Sequence, residues 1–268
     1  MDTFLENEQI NYRRRALFIA MVAMVVTYFM WNIPQLDMIM YPLRLFVTYV
    51  HETGHAVMVL LTGGRIQEFV VSSDGSGHVI STGGTRALIA PAGYIGAALF
   101  GSTLFYVVNR LPRFANNIAY LLGGGMVFFT LAFILPSSIK PLALTIGITF
   151  GVILLAVASK LPQMLTLLVL NVLAIITALN AVFDIFILMR FIDAGSEAND
   201  AVNFSRYVAP FVPASFVALT WAGIAGLLFA IAFYYGAWKP LHTEINDTYN
   251  SIVATNALKR ATKLTRQK

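Results

Sequence analysis

The 268-residue chain contains no cysteine and few charged residues, which make up only 12% of the sequence. The absence of cysteine excludes disulfides and thiolate chemistry, so any metal site must use His, Asp or Glu side chains. The low charge excludes a soluble single-domain enzyme and a disordered chain, since soluble domains carry about 25% charged residues. Hydrophobic residues account for 58% of the sequence, and the mean hydropathy is +0.73. This composition predicts an integral membrane protein that crosses the bilayer several times.

Long apolar runs predict an all-α polytopic membrane protein with about seven transmembrane helices, because each run approaches the roughly 20 residues that cross a bilayer. Residues 65–82 contain two short β-rich stretches around a Gly-containing turn, which predicts a small β-hairpin between helices two and three. Residues 236–268 are a polar, basic tail, and we expect one membrane-embedded domain. The expected helices cover residues 15–33, 41–62, 87–108, 117–135, 142–158, 163–189 and 207–235.

The net charge of +5 is spread over small basic clusters near the ends of the apolar runs. Such clusters indicate membrane topology and contact with anionic lipid, whereas no basic, aromatic-rich segment indicates nucleic-acid binding. Arg13, Arg14 and Arg15 precede the first apolar run, and the loops on that side carry the larger share of basic residues. We therefore expect a cytoplasmic amino terminus, in the plasma or inner membrane if the source is bacterial.

An HExxH motif, formed by His51, Glu52 and His55, lies in the middle of the second predicted helix. Two His four residues apart share one helical face and can bind one Zn²⁺ ion, while the adjacent carboxylate can take a proton from water. A polar helix face in contact with water is the alternative interpretation. A membrane location weakens that alternative, because a buried ionisable side chain costs on the order of 2.5–3.5 kcal/mol unless it is compensated.

A zinc site of this kind needs a third protein ligand, for which Asp184 is the predicted residue. Apart from Glu52, Asp184 is the one carboxylate well inside a predicted membrane helix. Thr177, Asn180 and Asp184 form a polar stripe on that helix. With a rise of about 1.5 Å per residue, Asp184 lies at a depth similar to that of the HExxH motif. An ion pair with a neighbouring arginine, or a cap at the helix end, is the alternative role.

The HExxH motif lies within a longer recognisable segment, residues 46–56. Five further segments accompany it, at residues 61–64, 73–77, 90–96, 180–184 and 199–201. Together these segments resemble the site-2 protease family of intramembrane zinc metallopeptidases, in particular its branch of compact multi-span proteins. The resemblance implies that His51, His55 and Asp184 are zinc ligands and that Glu52 is the catalytic base. It also implies that Asn180 positions the substrate carbonyl or its oxyanion. Better-studied members carry a PDZ-like insert, which is absent here.

The resemblance implies an intramembrane zinc endopeptidase that hydrolyses a peptide bond of a membrane-protein or peptide substrate within the lipid bilayer. Glu52 would take a proton from zinc-activated water and pass it to the leaving amine. The predicted hairpin could hold an extended substrate segment by strand addition. Two other functions stay open, namely a membrane metal transporter, which would need polar residues on several helices, and a catalytically silent membrane scaffold.

Overall fold

The computed structural model describes residues 2–136, 141–183, 199–240, 242–243 and 250. Most of these residues are helical, and a two-stranded antiparallel sheet lies between the second and third helices. Helix α4 continues as a π-helical turn over Thr130–Ile134, and helix α8 does so over Tyr234–Trp238. In chain order the elements are α1 (Asp2–Asn32), α2 (Asp37–Leu61), β1 (Arg65–Val71), β2 (Gly77–Thr82), α3 (Arg86–Arg110), α4 (Ala115–Phe129), α5 (Pro141–Lys160), α6 (Gln163–Phe183), α7 (Asp200–Tyr207) and α8 (Ala214–Phe233).

Five helical segments of the described chain are long and apolar enough to cross a membrane. The predicted all-α membrane architecture is therefore confirmed, while the predicted count of seven spans is not. The predicted spans 15–33 and 41–62 lie in α1 and α2, which are helical but are not among the five. Helix α2 is less apolar because it carries the HExxH motif. The five segments are Arg86–Arg110, Pro112–Ile134, Pro141–Lys160, Gln163–Asn180 and Ala214–Trp238.

The last long helix begins at Ala214, whereas the sequence predicted a start at residue 207. Pro210 and Pro213 account for the difference, because proline lacks the amide proton and its ring restricts the preceding residue to extended conformations. The residues before these prolines form α7, a separate short helix that the sequence analysis did not predict. Helix α6 is described as far as Phe183, so Asp184 and the rest of the predicted span 163–189 lie outside the described residues.

Helix α6 lies at the centre of the bundle and packs against α1, α3, α4 and α8. Its side chains Leu167 and Leu170 are fully buried. Gly101 allows α3 to touch α6 directly, since a Cβ at this position would overlap the α6 backbone. The Nδ2 atom of Asn109 on α3 donates a hydrogen bond to Oδ1 of Asn171 on α6, at 2.7 Å. These contacts hold α3 in place as the helix against which the HExxH helix packs.

The predicted hairpin between helices two and three is confirmed. Its strands pair in an antiparallel register that aligns Arg65 with Thr82 and Val71 with Gly77. The chain reverses from α2 into β1 at Gly63, whose φ of +79° is in the left-handed region that favours glycine. The amide of the following glycine closes the helix end by donating to a carbonyl in its last turn. This tight reversal directs the hairpin back along α2.

The hairpin is held against α2 by polar contacts at its tip and by apolar packing along β1. The hydroxyl of Thr48 donates a hydrogen bond to the carbonyl of Gly75, and the hydroxyl of Tyr41 donates one to the carbonyl of Ser73, both at 2.7 Å. Phe69 of β1 is fully buried in the apolar cluster that α2 shares with the hairpin. The hairpin tip therefore lies beside the middle of α2, next to the HExxH motif.

Candidate metal centre

The two histidines of the HExxH motif converge on one point, as their spacing predicted. The Nε2 atoms of His51 and His55 are 3.1 Å apart. The Nδ1 atom of His55 lies 2.7 Å from the carbonyl oxygen of Ile89 on α3. Because a carbonyl only accepts hydrogen bonds, Nδ1 carries the proton and Nε2 has a free lone pair. A hydrogen bond of this kind orients the metal-binding imidazoles of many zinc sites.

A carboxylate from the far end of the chain meets the two imidazoles. The Oδ2 atom of Asp200 lies 3.0 Å from Nε2 of His51 and 3.1 Å from Nε2 of His55. The Oδ2 atom of Asp200 therefore lies where a third ligand atom could join the two imidazole nitrogens.

Asp200 is positioned by the start of helix α7, of which it is the first residue. The side chain of Asn199 caps this helix, with its Oδ1 accepting a hydrogen bond from the amide of Val202 at 2.8 Å. Helix α7 packs through Ala201 and Phe204 on α8, where the ring of Trp221 lies 5.6 Å from that of Phe204. The cap and the apolar face together fix the direction in which the Asp200 carboxylate points.

The three groups have the chemistry and the spacing of a zinc site. Three ligand atoms separated by 3.0 to 3.1 Å can all contact one ion at the usual Zn–N and Zn–O distances of about 2.0–2.2 Å. Within the described part of the chain, His51, His55 and Asp200 are the group that could hold a metal ion. Two imidazoles and one carboxylate leave a coordination position open, as hydrolytic zinc sites do.

Glu52 lies beside the two histidines and is almost completely buried, with 3% of its surface exposed. Its Oε2 atom has no hydrogen-bond partner among the described residues. Its Oε1 atom faces the first residue of β2, because a Cβ on Gly77 would lie only 2.7 Å from that oxygen. An unpaired buried carboxylate is costly, so its presence here favours a chemical role over a structural one.

The wall of the site opposite α2 is formed by α3. The ring of Tyr94 meets the imidazole of His51 edge to face, with 4.5 Å between the ring centres. On its other side Tyr94 lies near Trp221, at 6.1 Å between ring centres. These aromatic contacts link α3, α8 and the His51 imidazole, and they limit the directions in which that imidazole can turn.

Of the two remaining predicted site residues, the structure describes Asn180 but not Asp184. Asn180 is half-buried near the carboxyl end of α6, and no hydrogen bond among the described residues joins it to His51 or Asp200. Asp184 lies outside the described residues, so its predicted role as a ligand stays a prediction. Sequence reasoning missed Asp200, although residues 199–201 were among the segments that resembled the family.

Within the described residues, five apolar spans and the group of His51, His55 and Asp200 define an integral membrane protein with a candidate metal centre. The family described as Peptidase M50B-like matches residues 18–233, so the chain belongs to this family, which is the site-2 protease family. The matched region contains the HExxH motif, the hairpin and Asp200. No curated protein and no solved structure matches the chain. The family resemblance seen in the sequence is thereby confirmed.

Proposed function

We propose that this protein is an intramembrane zinc endopeptidase in which His51, His55 and Asp200 hold the ion and Glu52 is the general base. The observation that carries the proposal is the convergence of three ligand atoms within 3.1 Å of one another, beside a buried and unpaired glutamate. Membership of a membrane peptidase family supports the same function.

Asp200 is favoured over Asp184 as the third ligand because its Oδ2 atom already contacts both imidazoles. Asp200 is fixed at a capped helix start, and its distance to His51 Nε2 is close to the distance between the two histidine nitrogens.

The chemistry follows from the positions of the side chains. A zinc ion at this site would polarise the scissile carbonyl and lower the pKa of a water molecule. Glu52, with its free Oε2 atom, would accept the proton of that water and deliver it to the nitrogen of the leaving amine. The hydrogen bond from His55 Nδ1 to the Ile89 carbonyl would keep the orientation of the His55 imidazole fixed during the reaction.

The substrate we propose is an extended segment of a membrane protein. A helical peptide bond is shielded by its own hydrogen bonds, so the segment must unwind before attack. Strand β2 begins next to Glu52, and in the described structure its sheet partner is β1 alone. An unpaired strand edge can bind an extended peptide through backbone hydrogen bonds, which would place the peptide near the glutamate.

The two other functions considered from the sequence have less support. Metal transport needs a series of polar sites across the membrane, whereas the described residues contain one candidate metal group. A catalytically silent scaffold is the stronger alternative, because the family includes catalytically inactive members. The buried Oε2 atom of Glu52, which has no hydrogen-bond partner among the described residues, supports activity, because an unsatisfied polar atom is costly in a purely structural role.

The test compares three membrane preparations, which contain the wild-type protein, the Glu52→Gln variant or the Glu68→Gln variant. Glu68→Gln is the matched control, because it makes the same chemical change on the hairpin. Peptide fragments of host membrane proteins are quantified by mass spectrometry, and zinc is measured in each purified protein. We expect all three to hold zinc and Glu52→Gln to lose about 10²–10⁴-fold of the cleavage rate. Identical fragments from wild-type protein and Glu52→Gln would contradict the proposal, and so would wild-type protein without zinc.

A further inference from the structure

Gly93 of helix α3, which has no side chain, faces the two histidines of the metal centre. A Cβ built on Gly93 would overlap the Nε2 atoms of both His51 and His55, and it would lie 2.6 Å from Cε1 of His51. A methyl group at this position would therefore occupy space that the two imidazoles now fill.

The backbone of helix α3 packs directly on the backbone of α2 beside the histidines. Gly54, which lies between them on α2, contacts α3 so closely that a Cβ there would overlap the carbonyl oxygen of Ala92. One turn further along α3, Gly96 packs against Gly54 as well. The backbones of α2 and α3 are thus in direct contact on both sides of Gly93, and this contact fixes the distance from Gly93 to the imidazoles.

We propose that Gly93 is a positioning residue of the metal centre, whose missing side chain leaves the space that the two imidazoles need in order to converge. This inference rests on the proposed function, since it concerns the same three ligands. It adds a requirement that the HExxH motif does not contain: the helix facing the motif must have glycine at this point. Alanine at residue 93 would push one imidazole away from the other, and the pair would no longer bind one ion.

The test compares the zinc affinity of purified full-length wild-type protein, Gly93→Ala and Gly96→Ala, measured by competition with a chromogenic chelator. Gly96→Ala is a matched control on the same helix, because its new Cβ would lie 3.4 Å from Gly54, which is an ordinary contact. Both changes replace glycine by a better helix former, so neither weakens α3 through helix propensity. We expect Gly93→Ala to bind zinc about tenfold more weakly or worse, and Gly96→Ala to bind it like the wild type.

A second measurement separates a local clash from general misfolding. The Tm of the metal-free protein is measured with and without Gly93→Ala, first with both histidines present and then in a His51→Ala, His55→Ala background. We expect Gly93→Ala to lower Tm when the imidazoles are present and to leave it unchanged when they are absent. An equal fall in both backgrounds would overturn the inference.

The zinc results also distinguish this inference from the proposed function. Tight zinc binding by wild-type protein and by Gly93→Ala alike would overturn the role of Gly93 and leave the proposed function intact. Absence of zinc from the wild-type protein would overturn both.

Discussion

The Oδ2 atom of Asp200 lies 3.1 Å from the Nε2 atom of His55, although 145 residues separate them in the sequence. This contact joins the short helix α7 to the HExxH helix, because the same oxygen also lies 3.0 Å from His51. A metal ion bound by all three groups would connect the two helices more strongly than the hydrogen bonds alone.

Removal of zinc is therefore expected to destabilise the protein. A ligand present at about 100 times its Kd stabilises the folded state by about 2.7 kcal/mol, so chelation should lower Tm measurably. The measurement is thermal unfolding in detergent, before and after treatment with a chelator. A variant that carries His51→Ala and His55→Ala is the control and should not respond to the chelator. An unchanged Tm in the wild-type protein would show that zinc does not join these helices.

The close approach of β2 to Glu52 predicts that Gly77→Ala impairs cleavage without removing the metal. The new Cβ would lie 2.7 Å from Glu52 Oε1 and 2.9 Å from a methyl carbon of Thr48, so the carboxylate must shift. A misplaced catalytic group costs on the order of 10²-fold in rate. Zinc content and cleavage are measured on the same preparation.

Gly124→Ala is a suitable control for this experiment, because a Cβ on Gly124 has no atom within 4 Å. It should retain both zinc and cleavage. If Gly77→Ala lost its zinc together with its activity, the hairpin would act on the ligands and not on Glu52.

The hydrogen bond from Thr48 to the hairpin tip predicts a local effect on hairpin mobility. Thr48→Val keeps the shape of the side chain but removes the donor to the Gly75 carbonyl. A hydrogen bond of this kind contributes about 1 kcal/mol, which is a factor of about 5 in a local opening equilibrium. Hydrogen exchange of residues 72–77 should therefore be several-fold faster.

Thr145→Val serves as the comparison, since the Thr145 hydroxyl donates only to a carbonyl in its own helix. Exchange at the hairpin tip should be unaffected by that change. Equal exchange rates in Thr48→Val and wild-type protein would mean that apolar packing of β1 alone holds the tip.

The features that sequence predicted correctly depend on local patterns. The spacing of His51 and His55 places them on one helix face whatever surrounds the helix, and the structure brings their Nε2 atoms within 3.1 Å. The hairpin followed in the same way from two β-rich stretches around Gly75, whose φ of +88° suits the turn. Such patterns are determined by residues a few positions apart.

Asp200 could not be found in this way because its role depends on tertiary contacts. Asn199 and Asp200 look like an ordinary helix start, which is the structural role of Asn199 here. Depth in a predicted membrane helix favoured Asp184, since an intramembrane carboxylate is usually functional. Nothing in the local sequence indicates that the packing of α7 on Trp221 carries the Asp200 carboxylate to the histidines. Gly93 was missed for the same reason.

The central claim is that Asp200 completes the metal centre, and zinc analysis of two isosteric variants tests it most directly. Asp200→Asn and Asp184→Asn are purified beside the wild-type protein, and the zinc bound per chain is measured by elemental mass spectrometry. The account predicts stoichiometric zinc in wild-type protein and in Asp184→Asn, and little or none in Asp200→Asn. Stoichiometric zinc in Asp200→Asn, together with loss of zinc from Asp184→Asn, would contradict it.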